Sequence, residues 1–361
     1  MGSKFDRSFL LERSKTAKME LVKLKNLDLS KCNSFDDLTK AMSMTAFGGR
    51  QLGEAVDVAE AMIKDKDCLK VLTLSGAITI AKMNLVICDM IDNGMVDVII
   101  ATGALVSHGF IDGAGFYHYK NPGHIPDEEL LKLGYDRVYD SLETEENFDA
   151  VAKIFYATFN SMAKDDYICS YRIFEKLGEY LTKHCEGRNV FKSAHSKKIP
   201  IFIPAFLDSD IGIEFYLNNQ ARKDKGEEPL TYEPIFDLEK YVDLVFNAKK
   251  VGIFTIGGGV PRNWAQQVGP ILQWNLVRMD KKLSEEEIKK YSKRFSYGVR
   301  ICPEPVHWGG LSGCTYSEGV SWGKFTPVSE GGRYAEVMCD ATIAWPIIVK
   351  ALLERLKGKK R

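Results

Sequence analysis

What this sequence lacks narrows what the protein can be. Its 49 Lys and Arg are matched by 49 Asp and Glu, so the formal net charge is zero. No global basic field points to nucleic acid. Residues 357–361 are basic, but so short a tail reads as a solvated terminus. No apolar run approaches the ~20 residues that span a bilayer, so no membrane partner is expected. The eight cysteines (Cys32, Cys68, Cys88, Cys169, Cys185, Cys302, Cys314 and Cys339) include no C-x-x-C pair. A zinc site would want clustered Cys or His, so no metal is expected. No signal-peptide pattern is found, and reduced thiols in a cytoplasmic protein are the simplest account. Met1-Gly2 invites myristoylation, but Asp6 stands where Ser or Thr is needed.

What is present is enough for a large core: 361 residues, 45% hydrophobic and 27% charged. There is no repeat, low-complexity tract or clear linker. The organisation read here is an N-terminal extension over 1–35 and one α/β domain over 36–361. Residues 71–74 form a short apolar strand ending at Ser75-Gly76. A helical stretch follows over 78–91, and a second strand over 96–101 ends at Thr102-Gly103. This strand–glycine–helix–strand rhythm marks βαβ units and a mainly parallel sheet. Residues 111–146 read as loop-rich, 148–162 and 171–181 as amphipathic helices, and 200–204 as a strand between prolines. A strand over 251–256 precedes a helix beginning near Pro261. Residues 280–299 read as charged and exposed, and 301–324 as one long glycine-rich loop. A strand over 335–339 ends at Asp340, before a closing helix over 341–356. The fold class is therefore α/β, doubly wound, with a mainly parallel, Rossmann-like sheet.

Two stretches carry the chemistry. Glu318-Gly319-Val320-Ser321-Trp322-Gly323-Lys324 sets a lysine near a tryptophan and beside Phe325. An apolar pocket disfavours the ammonium, so the amine becomes neutral and nucleophilic. Ile256-Gly257-Gly258-Gly259-Val260-Pro261 ends a strand in three glycines, which let backbone approach a ligand such as a phosphate. Together they read as halves of one site, a nucleotide cofactor on one side and a nucleophile on the other.

Each half has a plainer reading. The glycines fit neither G-x-G-x-x-G nor the P-loop pattern, and a tight turn explains them about as well. Most lysines are simply solvated. Asp208 and Asp340, at strand ends, either accept ribose hydroxyls or cap helices. His307 is either a proton carrier or a hydrogen-bonded loop histidine. His108 is equally open, and Glu318 either holds a cationic substrate or is a solvated carboxylate. Ligands of open α/β sheets bind outside the carboxyl ends of the strands, which makes these ends the candidate cofactor rim.

At these residues the chain resembles the deoxyhypusine synthase family. The matching pieces are Val96-Asp97-Val98 with Thr102-Gly103, the Gly257-Gly258-Gly259-Val260 turn, and above all Glu318-x-Val320-Ser321-Trp322-Gly323-Lys324. Cys339-Asp340-Ala341 followed by Trp345-Pro346 also matches, and the resemblance runs from about residue 40 to 355. It implies NAD as cofactor, with a polyamine such as spermidine oxidised and cleaved. The 4-aminobutyl group is held as an imine on Lys324, passed to an acceptor amine and reduced. It implies NAD contacts at Ser75, Thr79, Thr102, Gly103, Asp208, Gly258, Gly259 and Asp340. Trp322 would wall the polyamine tunnel and Glu318 would bind an ammonium. A cytoplasmic homotetramer with sites at subunit interfaces is also implied.

The chain departs from the family at three positions. Eukaryotic members carry a proton-transferring histidine where Asn263 stands, and polyamine-binding aspartates where Leu311 and Ile213 stand. Glu214, Asp210 and His307 are nearby candidates to compensate. The pattern resembles the prokaryotic deoxyhypusine synthase-like branch. The acceptor is then either a protein lysine or putrescine, the latter as in homospermidine synthase. A catalytically silent regulatory paralogue is a third reading, which the intact Lys324 motif opposes. A generic NAD-binding oxidoreductase leaves Lys324 without a role.

Overall fold

The computed structural model describes residues 21–165, 167–278 and 282–357. Most of the expected N-terminal extension, the Met1-Gly2 start and residues 358–361 of the basic tail lie outside these. Residues 21–28 have no helix or strand and are exposed, and the first described α-helix begins at Phe35.

Among the described residues nine strands form two sheets: β1 (Cys68–Leu74), β2 (Val98–Ala101), β3 (Tyr119–Lys120), β4 (Tyr135–Val138), β5 (Ser141–Thr144), β6 (Ile201–Phe202), β7 (Lys250–Ile256), β8 (Phe295–Ile301) and β9 (Arg333–Val337). Six of them run in the order β6-β2-β1-β7-β8-β9, and every pairing is parallel. The chain lays strands outward from β1 in one direction, then returns to β7 and builds the other half. The strand order thus reverses between β1 and β7, which opens a crevice at their carboxyl ends.

Both faces of this sheet are covered, so its strands are mainly apolar. Leu72, Leu74, Ile99, Phe254, Ile256 and Val299 pack into one core. Their neighbours Val71, Val98, Ile100, Val251 and Ile253 pack into a second core on the opposite face. The period of two along each strand divides the cores. Helices Phe47–Lys64, Asn84–Asp92 and Ala341–Lys357 supply buried residues to the first core, and helices Ile235–Asn247 and Val268–Arg278 to the second.

The structure corrects three local expectations. Residues 280–299 are not wholly exposed: residues 285–290 are, but Tyr291 packs against Phe246 and β8 beyond it is a mostly buried strand. Residues 111–146 hold a second sheet, β3-β5-β4, antiparallel throughout. Residues 301–324 contain two 3₁₀ turns, Val306–Trp308 and Leu311–Gly313, and a helix, Tyr316–Ser321. No described helix is long and apolar enough to cross a membrane.

Candidate active site

The crevice is built from backbone. Ser75 N–H donates to Ile256 O at 3.1 Å and Gly257 N–H to Ile301 O at 2.8 Å, so neighbouring strand ends are tied together. Gly257 and Gly259 sit at φ 74° and 62°, the left-handed region that favours glycine. Between them Gly258 N–H donates to Ser75 Oγ at 3.2 Å, and Ser75 Oγ donates back to Gly258 O. A Cβ on Gly258 would lie 2.5 Å from Ser312 Cα, so only glycine lets the 312 loop close over the turn.

The other rim residues fall in three groups. Thr102 and Gly103 lie at the end of β2, where a Cβ on Gly103 would meet Ser209 Cβ at 1.9 Å. Thr102 Oγ1 is buried there without a hydrogen-bond partner. Thr79 is buried behind the rim and donates to Ala104 O at 3.1 Å. Asp208 is exposed in the loop after β6. Asp340, after β9, accepts from Thr342 N at 2.8 Å, so its described role is to cap helix Ala341–Lys357.

The second half of the site is a pocket of about 290 Å³ whose lining includes Lys324, Asn263, Glu318, Trp322, Leu311 and Cys314. The helix Gly259–Gln266 starts at the glycine turn and carries Asn263 to the pocket, joining the two halves. Lys324 is 9% exposed and its Nζ donates to Asn263 Oδ1 at 3.0 Å. Burial pushes its pKa below the ordinary lysine range. Burial outweighs an upward pull from Cys314, with Arg262 adding to the lowering and Glu318 opposing it more weakly. The Trp322 ring centroid is 5.7 Å from Nζ, which favours the ammonium, but that indole is 63% exposed and burial prevails. Burial also raises the Cys314 thiol pKa, so this wall stays neutral.

Glu318 is exposed at the pocket edge, with its backbone held by Thr315 Oγ1 at 3.0 Å. His307 is exposed on the 3₁₀ turn, whose Val306 lines the pocket instead. Ile213, Asp210 and Glu214 are not lining residues either. Leu311 lines it and is 48% exposed.

What holds the lysine's loop was not legible beforehand. Arg300, buried in β8, donates to Ser312 O at 2.6 Å and Cys314 O at 2.8 Å, and pairs with Glu336. Glu336 in turn accepts from Tyr316 N at 2.9 Å, at the start of helix Tyr316–Ser321. Arg262 is 2% exposed and stacks over the Tyr316 ring, with its Nε and Nη2 unpartnered. Burial lowers its pKa from the ordinary arginine value. Arg262 stands in sequence beside Asn263, and the glycine turn before it is the one signal that could have found it.

Comparisons with known proteins identify the family. The family model described as deoxyhypusine synthase matches residues 37–352. A "Probable deoxyhypusine synthase 2" of Archaeoglobus fulgidus is 32% identical over 314 residues, covering 86% of this chain and 96% of the relative. A "Deoxyhypusine synthase-like protein" of Chlorobaculum tepidum is 32% identical over 327 residues, covering 90% and 87%. A solved structure from Entamoeba histolytica, provisionally named a deoxyhypusine synthase, superposes with a TM-score of 0.58 over 91% of this chain and 96% of that one. Its 13% identity bears on the fold alone. With its family matched across nearly the whole α/β region, this chain belongs to the deoxyhypusine synthase family.

Proposed function

We propose that the protein is an NAD-dependent aminobutyl transferase, moving a 4-aminobutyl group from spermidine or a related polyamine to an acceptor amine through an imine on Lys324. The observation that carries this reading is the buried Lys324 amine, its pKa depressed by burial and its described hydrogen bond made to an uncharged amide.

The crevice residues fit a dinucleotide. Gly258 leaves no room for a side chain, and Thr102 Oγ1 is an unpartnered buried hydroxyl at the rim. Ser75, Thr102, Gly103, Gly258 and Gly259 would hold NAD, with Asp208 and Asp340 at the margins. When bound there, NAD would supply the two-electron oxidation that turns the donor's secondary amine into an imine with an electrophilic carbon, and its reduced form the hydride for the final reduction.

Lys324 does the covalent work. Its neutral Nζ forms a bond to the electrophilic carbon, and the bond from that carbon to the donor's nitrogen breaks. The lysine proton leaves with the departing amine, which is 1,3-diaminopropane if the donor is spermidine. Asn263 accepts one N–H of the lysine and so aims its lone pair, but an amide cannot take the proton. Glu318 faces the pocket as counter-charge for a donor ammonium, and Trp322 and Leu311 supply apolar wall. Pocket walls that exclude water protect the imine from hydrolysis. The family chemistry leaves the acceptor as a protein lysine or a small amine, and a homotetramer as the expected assembly.

The test is to incubate the protein with NAD and spermidine and to follow 1,3-diaminopropane by mass spectrometry. NAD-dependent release supports the reading. No release from spermidine, and no cleavage of putrescine or agmatine, removes it.

A further inference from the structure

Away from the lysine pocket, the fold gathers three side chains that the transferase reading does not use. We infer that His108, His118 and Glu143 form a site for one divalent transition-metal ion of the zinc class. One potential ligand atom from each lies within 4.8 Å of the other two. Two nitrogens and a carboxylate oxygen are the donor set of many three-ligand zinc sites, which leave a fourth position open.

The topology explains how residues so far apart in sequence meet. His108 stands on helix Ala104–Gly113, which follows β2. β3 and β5 pair with Tyr119 opposite Leu142, so the next cross-strand position places His118 opposite Glu143. The helix and the small sheet thus converge on one point, and a bound ion would clip them together.

Without an ion, His118 and Glu143 close on each other as a buried pair, and that pairing leaves atoms for an ion to use. His118 Nε2 lies 2.6 Å from Glu143 Oε2, and His108 Nδ1 lies 3.7 Å from the same oxygen. Yet all three atoms are buried and none makes a hydrogen bond of acceptable geometry. At 2.6 Å the His118 and Glu143 atoms are closer than the roughly 3.3 Å between two ligands of one tetrahedral zinc, so an entering ion would part them. Unmet buried polar atoms cost free energy that coordination would recover. The side chains of His118 and Glu143 are 1% and 0% exposed, while His108 at 13% leaves a route in.

Outer partners are also in place. Asn147 Nδ2 donates to Glu143 Oε1 at 2.5 Å, fixing the carboxylate. Asp112 Oδ1 lies 3.6 Å from His118 Nδ1, where it can accept the ring proton once Nε2 holds the metal. Lys82 Nζ is 2.9 Å from that nitrogen and 2.6 Å from Asp112 Oδ1. On metal binding the lysine keeps the carboxylate and gives up the ring.

The test uses the tag-free full chain, stripped with chelator and titrated with zinc alone against a chromogenic competitor, without NAD or polyamine. One zinc per chain, a higher unfolding temperature and a visible cobalt spectrum on Co²⁺ substitution are expected. His108→Gln and Glu143→Gln should each weaken zinc binding by at least about tenfold, whereas the exposed His184→Gln should not. No zinc bound and no cobalt spectrum with the folded parent overturns the site, and so does parental affinity in both variants. Because no transferase substrate is present, failure here leaves the aminobutyl transfer reading untouched, and the reverse also holds.

Discussion

Lys324 Nζ donates to Asn263 Oδ1 at 3.0 Å, so the one residue that aims the buried amine carries no charge. A carboxylate in that place would stabilise the ammonium and raise the pKa that burial lowers. Asn263→Asp should therefore slow covalent capture of a polyamine fragment at neutral pH by about tenfold or more, as one pKa unit is worth about 1.36 kcal/mol. Raising the pH should restore part of the loss. The check is the rate of borohydride-trapped adduct against pH, and an unchanged rate counts against the neutral-amine account.

Burial of the same lysine has a stability consequence of definite sign. Its folded pKa lies below its unfolded one, so between the two the unfolded chain binds more protons. Stability from this group rises with pH across that window, and below it the charged amine is buried at full cost. Lys324→Met should raise the unfolding temperature at pH 7, and the difference should shrink as pH approaches the ordinary lysine value. A thermal unfolding series from pH 7 to about 10 reads this.

Arg300 and Glu336 hold the loop that presents the lysine. Glu336→Ala leaves Arg300, 1% exposed, without its counter-charge. The expected loss is about 3 kcal/mol, the lower end for breaking a buried pair. Chemical denaturation should show it, with the surviving folded protein also losing adduct formation. A change within about 0.5 kcal/mol, as at ordinary surface positions, would mean the pair does not anchor the loop.

Gly258→Ala should abolish dinucleotide binding, because its Cβ would displace the backbone at Ser312. Gly48→Ala, where nothing lies within 4 Å of the new carbon, is the matched control and should bind like the parent. Fluorescence titration with NADH separates the two. Equal binding by both variants would remove the glycine turn from the cofactor site.

The sequence shows some of this clearly and hides the rest for physical reasons. β1 and β7 are mainly apolar runs followed by small residues, which is how buried parallel strands read. β8 escaped because Phe295–Ile301 follows a charged helix and contains Gly298 and Arg300. Both have structural causes: a Cβ on Gly298 would lie 2.8 Å from the Tyr316 ring, and Arg300 is satisfied by loop carbonyls. The Lys324 motif was visible, but its 3.0 Å partner Asn263 comes from helix Gly259–Gln266, which only the tertiary fold brings to the loop after helix Tyr316–Ser321. The grouping of His108, His118 and Glu143 was invisible because His118 and Glu143 stand 25 positions apart and meet only through the β3–β5 register. The sequence-based expectation of no metal rested on spacing alone, which cannot see cross-strand partners.

The central claim is that Lys324 becomes covalently loaded. The most direct measurement is intact and peptide mass spectrometry of the protein after NAD, spermidine and borohydride. The account predicts an added aminobutyl mass on the peptide bearing Lys324, absent without NAD and absent in Lys324→Ala, which should still bind NAD. No adduct with spermidine, putrescine or agmatine, or an adduct that persists in Lys324→Ala, would contradict it.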